Sequence, residues 1–447
     1  MKLNITGGRR SAEEAVLRGG GRRPPSPSAP HTDHIHVPFR AALMVAIAAG
    51  LGYGFDAYAV NLLGMLGPLL IKDLNITVQT FGLIGSIFLV GYTIGTIGFG
   101  YLADRLGRRN VLGYSILMYG ITTAVSGLTT NVHLFTILRF LTGVGGAGEL
   151  AVGAPYTAEM WPKKIRALGT GGVMFSLYSA GYILAAIAAL FIVPRWGWQW
   201  TFIFAIVPAI LVFLFRRLVQ ESVRYKMAKD EIDRREREDG IEREHWHMFN
   251  IWKIPGATRR IVIGWLLYIA NACGYWGITV FLTTFMVKKF GVTTTDAIFW
   301  AMIFYVVQFF LSYVGTGLSD YAGRRFAGIL GALIMIACTI VASLTDSFHT
   351  FLVFGGVMIG MLGWLWGVSD TYMSEFFHTT RRGTAFGIMV GGGRVASIFA
   401  PALVGIGIAA WGPTIPFLLT SCLWILTIIG YAMGPETAGR ELEEVQI

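Results

Sequence analysis

Five ionisable side chains, Asp56, Arg139, Glu149, Asp370 and Arg394, stand in stretches that are otherwise apolar. Charges at membrane depth are costly and usually mark pairing, ligand or proton sites. Asp56 lies in Gly54-Phe55-Asp56-Ala57-Tyr58 and Arg139 begins Arg139-Phe140-Leu141-Thr142-Gly143. In helices running in opposite directions, at about 1.5 Å rise per residue, both fall in the same outer half and are expected to pair. Protonating Asp56 would release Arg139 and couple proton entry to helix movement. The alternative is a permanent ion pair stapling two helices. Glu149, ten residues inward of Arg139, is either a second protonation site or a packing partner. Arg394, in Gly391-Gly392-Gly393-Arg394, falls near the midplane with glycines beside it. Its planar donors suit a carboxylate or phosphate, or an internal pair with Asp370 or Glu149.

The elements that must carry these groups follow from composition. Of 447 residues 54% are hydrophobic and 14% charged, with a mean hydropathy of +0.59. A soluble domain carries about 25% charged residues, so this chain lacks the means to cover a water-facing surface. Glycine, 57 residues, has no collagen period and fits close helix packing in lipid. A soluble enzyme, a disulfide scaffold and a disordered protein are excluded. Cys273, Cys338 and Cys422 lie far apart in apolar stretches and read as small hydrophobes.

Twelve runs of about 20 apolar residues are long enough to cross a bilayer. They lie near 40–64, 79–102, 110–129, 133–157, 167–191, 199–219, 259–286, 295–319, 326–345, 350–375, 384–408 and 413–434. Residues 1–38 read as a disordered basic tail, in which His34 and His36 belong to solvent rather than to a metal. Residues 39–219 form a first six-helix bundle, 220–258 a charged, helix-prone linker, 259–434 a second bundle and 435–447 a tail. With the N-terminus inside, the outer loops hold only Lys72, Arg195, Lys288 and Lys289, and 30 of the 36 basic residues lie at the inner side. Both termini are therefore expected in the cytoplasm, and the net charge of +10 needs no nucleic acid.

The halves repeat each other. Asp104-Arg105-Leu106-Gly107-Arg108-Arg109 recurs as Asp320-Tyr321-Ala322-Gly323-Arg324-Arg325, without the first arginine. Glu159, seven residues before Arg166, recurs as Glu375, seven before Arg382. Asp104 to Asp320 and Glu159 to Glu375 are both offset by 216, and Glu221 to Glu436 by 215. Acids and bases at the same end of each bundle can pair across the bundles and hold one mouth shut, giving two states of similar energy.

The duplicated D-R-x-G-R-R loop, the E-x-x-P-x-x-x-R loop and Pro435-Glu436-Thr437-x-Gly439-Arg440 closely resemble the major facilitator superfamily over nearly the whole chain after residue 38. The resemblance implies an all-α membrane protein of twelve transmembrane helices, built as two parallel-repeat six-helix bundles around a central site opened alternately to each side. Gly54-Phe55-Asp56 is similar to the G-Y/F-D of proton-coupled sugar and organic-acid symporters, whose span-four arginine partners the acid. Arg139-Phe-Leu-x-Gly143-x-Gly145-x-x-Gly148-Glu149 resembles the aromatic-acid, niacin, sialate-type and synaptic-vesicle-2-like branch, which favours small organic acids over sugars. These glycines match G-x-G-x-x-G, but mid-helix they serve packing and not a dinucleotide. In the resembling fold, spans one, seven and ten line the cavity, which makes Tyr53, Tyr58, Tyr275, Trp276, Trp364 and Trp366 candidate substrate contacts, with Asn271 and Gln308 as polar ones. Trp196, Trp198 and Trp200 read as interface anchors.

The expectation is a plasma-membrane proton symporter for a small organic anion, working as a monomer in the bilayer without cofactor, metal or covalent chemistry. Asp56, Arg139 and Glu149 carry coupling and Arg394 holds the anion. Asp104, Arg105, Gly107, Arg108, Arg109, Glu159, Arg166 and Glu221, with Asp320, Gly323, Arg324, Arg325, Glu375, Arg382 and Glu436, latch the gate. A sugar or polyol symporter and a drug exporter are the rivals of the same class. A receptor that no longer transports is a rival of another class. No ATP-binding motif, nucleophile–base pair or HExxH is visible in the sequence.

Overall fold

A computed structural model of the chain describes residues 37–238, 248–279 and 281–440. The tail with its His34 and His36, and residues 441–447, lie outside them.

Twelve helical spans cross in alternating directions. The first six are span 1, Phe39–Met65; span 2, Val78–Leu106; span 3, Arg108–Ser126; span 4, Val132–Met160; span 5, Phe175–Trp196; and span 6, Trp198–Ile203 continued by Ile206–Arg217. The next six are span 7, Ala257–Thr279; span 8, Thr294–Ala322; span 9, Arg324–Leu344; span 10, Phe348–Ser374; span 11, Arg382–Ser397 continued by Ala400–Trp411; and span 12, Thr414–Thr420 continued by Leu423–Met433. A linker helix, Val223–Glu238, joins the halves. Among the described residues ten helices are long and apolar enough to cross a membrane. Spans 3 and 11 fall outside that set; the first begins on two arginines and the second is broken after Ser397.

The duplication extends to helix ends. Spans 2 and 8 start on Thr77 and Thr293, whose hydroxyls accept from Thr80 N and Asp296 N. Spans 4 and 10 start on Asn131 and Ser347, which cap in the same way. Each pair is 216 apart. Packing repeats as well: spans 2 on 4, 1 on 5 and 3 on 6 are matched by 8 on 10, 7 on 11 and 9 on 12. The halves meet where span 2 lies on span 11 and span 5 on span 8. Span 5 is preceded by a π-helical turn, Leu168–Met174, in which Gly171 rests on Gly367 of span 10. A Cβ on Gly171 would come within 2.4 Å of the Gly367 backbone, so no larger residue fits without separating the halves.

Candidate functional site

At the latch end the acids and bases of both halves interlock. Arg108 at the start of span 3 pairs with Asp104 at 2.9 Å and Glu159 at 3.1 Å, and its counterpart Arg324 with Asp320 at 2.6 Å and Glu375 at 3.1 Å. Two further pairs cross between halves: Arg382 to Glu159 and Arg166 to Glu375, both 2.9 Å. Asp104 accepts from the backbone N–H of Gly383 and Thr384 at the start of span 11. Asp320 accepts likewise from Ala167 and Leu168 before span 5. Ser222 and Thr437 each donate to the remaining oxygen of Glu159 or Glu375.

The glycines and outer acids of the repeated loops hold this ring in place. Gly107 and Gly323 turn the chain at φ of 92° and 102° with ψ of 154° and 155°, a region essentially reserved to glycine that costs other residues about 1–3 kcal/mol. Glu221 accepts from Arg108 N and Arg109 N, and Glu436 from Arg324 N and Arg325 N. Burial pushes Glu375 up, but Arg324 and Arg166 outweigh it and hold the carboxyl below its ordinary value of 4.5. The Arg105 guanidinium lies 4.5 Å from the centre of the Tyr101 ring. Arg325 reaches the carbonyls of Tyr431 and Ala432.

Between the halves, beyond this ring, is a narrow cavity. Its walls are Tyr53, Asp56 and Val60 of span 1, Tyr92 of span 2 and Phe175 and Tyr178 of span 5. The second half supplies Tyr275 and Trp276 of span 7, Trp366 of span 10 and Arg394 of span 11. Tyr92 links the two charges: its hydroxyl donates to Asp56 Oδ2 at 2.7 Å, and the Arg394 guanidinium lies 3.9 Å from its ring centre. Arg394 also donates to the Tyr268 hydroxyl at 2.5 Å, while its Nε is buried without a partner. No carboxylate lies within 4 Å of it among the described residues. Asp370, one turn below Trp366, is buried, accepts no hydrogen bond at Oδ1 and interacts with Arg394 electrostatically without touching it.

Several expected placements are corrected. Asp56 does not meet Arg139: its Oδ1 faces Gly146, where a Cβ would come within 2.1 Å, seven residues or about 10 Å further along span 4. Arg139 instead donates to Ser126 Oγ at 2.7 Å, between the rings of Phe135 and Phe202. Glu149 forms a buried ion pair with Arg216 of span 6 and accepts from Ser115 at 3.1 Å, and it lies outside the cavity wall. Gly52 leaves the space for this pair; its Cβ would come within 1.8 Å of Arg216 Nη2. Tyr58 points outward to the Thr201 carbonyl. Trp364 points away from the cavity to the Ala327 carbonyl, because in a helix its neighbour two residues on, Trp366, is turned by about 200°. Asn271 and Gln308 are buried, their amides unpartnered, and neither reaches the cavity wall. The glycines before Arg394 pack on Ile97, Trp265 and Tyr268 rather than opening space. Trp196 and Trp200 are exposed, but Trp198 is buried and donates to Asp73.

Sequence reading missed Tyr92, Phe175, Tyr178 and Arg216. The first three are single aromatics in apolar runs and carry no signal of their own. Arg216 lies at the end of span 6 beside Arg217, although a mid-helix Glu149 calls for a cation.

The model of the sugar (and other) transporter family matches residues 41–447. The niacin transporter of Acinetobacter baylyi is 27% identical over 89% of this chain and 94% of its own length. The cis,cis-muconate transport protein of the same organism is 28% identical over 74% and 79%. Among solved structures, the proton:xylose symporter bound to 6-bromo-6-deoxy-D-glucose superposes with a TM-score of 0.76 at 20% identity, over 91% of this chain and 98% of that one.

Proposed function

Because this chain belongs to the sugar (and other) transporter family of the major facilitator superfamily, a group of multi-pass membrane transporters and not of enzymes, we propose that it imports a small organic anion together with a proton. One observation carries the substrate class. Arg394 faces the cavity with an unpartnered buried Nε and no carboxylate in ion-pair contact. A buried guanidinium without a counter-charge is costly, and a substrate carboxylate offers both the charge and the paired acceptor oxygens it lacks. Aromatic walls from Phe175, Trp276 and Trp366 suit a flat apolar body behind that carboxylate. The names of the niacin and muconate relatives support an acid over a sugar.

Asp56 is the proton carrier in this reading: it is buried on the cavity wall, with one hydrogen bond and no cation in contact. Protonation removes its charge from the cavity while the anion neutralises Arg394, so that a near-neutral cavity can be re-oriented between the two sides. The paired loops act as the inner gate, here latched. Removing one partner from a buried pair costs about 3–5 kcal/mol, whereas the intact pair is near neutral; such a latch holds firmly and opens only as a unit. The protein is taken to work as a monomer in the cytoplasmic membrane with both termini inside.

The test is a ligand panel read by thermal stabilisation and by uptake into proteoliposomes. Nicotinate, benzoate and muconate are expected to bind and xylose is not. Arg394→Ala is expected to weaken anion binding at least about 30-fold. Transport of a neutral sugar with affinity unchanged in Arg394→Ala would overturn the reading in favour of a sugar symporter.

A further inference from the structure

A second cavity opens on the outside of the bundle at the latch end, between spans 3 and 6. It is lined by Arg109, Asn110, Tyr114, Phe213, Arg216 and Arg217. Arg216 is committed to Glu149. Arg109 and Arg217 have no carboxylate within 4 Å among the described residues. Arg217 is exposed and its guanidinium lies 4.8 Å from the Phe213 ring centre, while Arg109 makes one long contact of 3.5 Å to the Val219 carbonyl. Two cations without counter-charges therefore share one groove.

The second repeat provides a built-in control. At the offsets of 216 and 215, Arg109 corresponds to Arg325, Tyr114 to Leu330, Arg216 to Tyr431 and Arg217 to Ala432. There Arg325 is turned onto the carbonyls of Tyr431 and Ala432 at 3.0 and 3.1 Å, and the other positions are uncharged. The fold thus does not need cations in this groove. The latch needs the Gly-Arg-Arg backbone, which both halves keep.

The surroundings of the groove say what would occupy it. Tyr114, which lines the groove, is 59% exposed, and Leu211, Leu214 and Leu218, on the same stretch of chain as the lining residues Phe213, Arg216 and Arg217, are 61%, 54% and 72% exposed, on the outer surface of a membrane-spanning bundle. A ligand there has its charged end against the arginines and its apolar body along these side chains. Basic pockets between spans at a membrane edge bind acidic lipid headgroups. We infer that the groove between spans 3 and 6 binds the phosphodiester headgroup of an anionic phospholipid of the leaflet on the latch side. This does not depend on what the central cavity carries. Because the Glu221 carboxylate fixes Arg109 N while that residue's side chain lines the groove, a bound lipid touches the latch loop and would favour the latched state.

The full chain, purified in detergent and mixed with phosphatidylglycerol, phosphatidylcholine or inorganic phosphate, tests this by native mass spectrometry and thermal shift. Phosphatidylglycerol is expected to be retained and to stabilise, phosphatidylcholine and inorganic phosphate much less. Arg217→Gln should weaken phosphatidylglycerol binding roughly five-fold, as loss of one basic contact near a membrane surface predicts. Lys226→Gln, an exposed lysine outside the groove, should leave it unchanged; both variants must remain monodisperse, and Arg217→Lys, which keeps the charge, should retain most of the binding. Equal binding of the two lipids would overturn the inference. So would equal losses in the two Gln variants, or inorganic phosphate stabilising as well as phosphatidylglycerol.

Discussion

The two halves of this transporter agree at the latch and disagree in the interior. Every charge of the latch ring has a counterpart: Asp104 and Asp320, Arg108 and Arg324, Glu159 and Glu375, Arg166 and Arg382, Glu221 and Glu436, with matching partners. The buried charges nearer the centre have none. At the same offset Arg139 corresponds to Gly355, Glu149 to Leu365, Asp370 to Ala154 and Arg394 to Tyr178. The turn of span 7 matching Asp56 holds Ala270, Asn271 and Ala272. In the proposed mechanism the gate closes and opens both bundles alike, so its chemistry has to be shared. The proposed anion has no two-fold symmetry, so the groups that would grip it need not be shared.

That contrast can be broken most sharply at Asp56. Asp56→Asn should abolish accumulation driven by a pH gradient, while substrate exchange at equilibrium persists in proteoliposomes. Accumulation at wild-type levels would remove Asp56 from the coupling role. The next largest effect is expected at the unshared ion pair. Glu149→Gln should destabilise by about 3–5 kcal/mol, since Arg216 is left buried without its partner. The double variant Glu149→Leu, Arg216→Tyr, which copies Leu365 and Tyr431 of the second half, should recover most of that loss in denaturation. If it does not, the pair has a role beyond packing.

At the latch the prediction is equality. Glu159→Gln and Glu375→Gln should each favour the open inner mouth, by about 1.5–3 kcal/mol for the charged hydrogen bonds lost, read as spin-label distances across that mouth. Unequal shifts would show that the gate is less symmetric than its contacts. The smallest expected effect is that of pH. Glu375 is held below 4.5 by Arg324 and Arg166, so its contribution is present at neutral pH and is lost only as pH falls through that depressed value. The shift in those spin-label distances produced by Glu375→Gln should therefore be the same size at pH 7.5 and 5.5. A change in that window would assign the gate to another titrating group.

Much of the fold was legible because a bilayer imposes length and polarity on every span, and because duplication makes one half predict the other. The twelve spans and the latch motifs follow from hydropathy and the constant offset. Arg394 was legible as a mid-span cation, but whether it met a ligand or an internal carboxylate was not, and its glycines pack on Ile97, Trp265 and Tyr268. The Asp56–Arg139 pair was expected because depth along a helix can be counted from sequence. Depth does not give rotation about the helix axis or the level at which two helices cross, and these put Asp56 opposite Gly146 and Tyr92 instead.

The same limit explains the aromatics. Trp364 and Trp366 have one composition and one neighbourhood in sequence, yet one packs on Ala327 and the other walls the cavity. Residue types alone settled a helical membrane protein with two like halves and a few deep charges, since burial energy in lipid is a property of residue type. Which deep charges face a substrate, which pair with each other and which stand alone was decided only by tertiary packing, because that depends on the relative turn and crossing of helices whose surfaces are almost uniformly apolar.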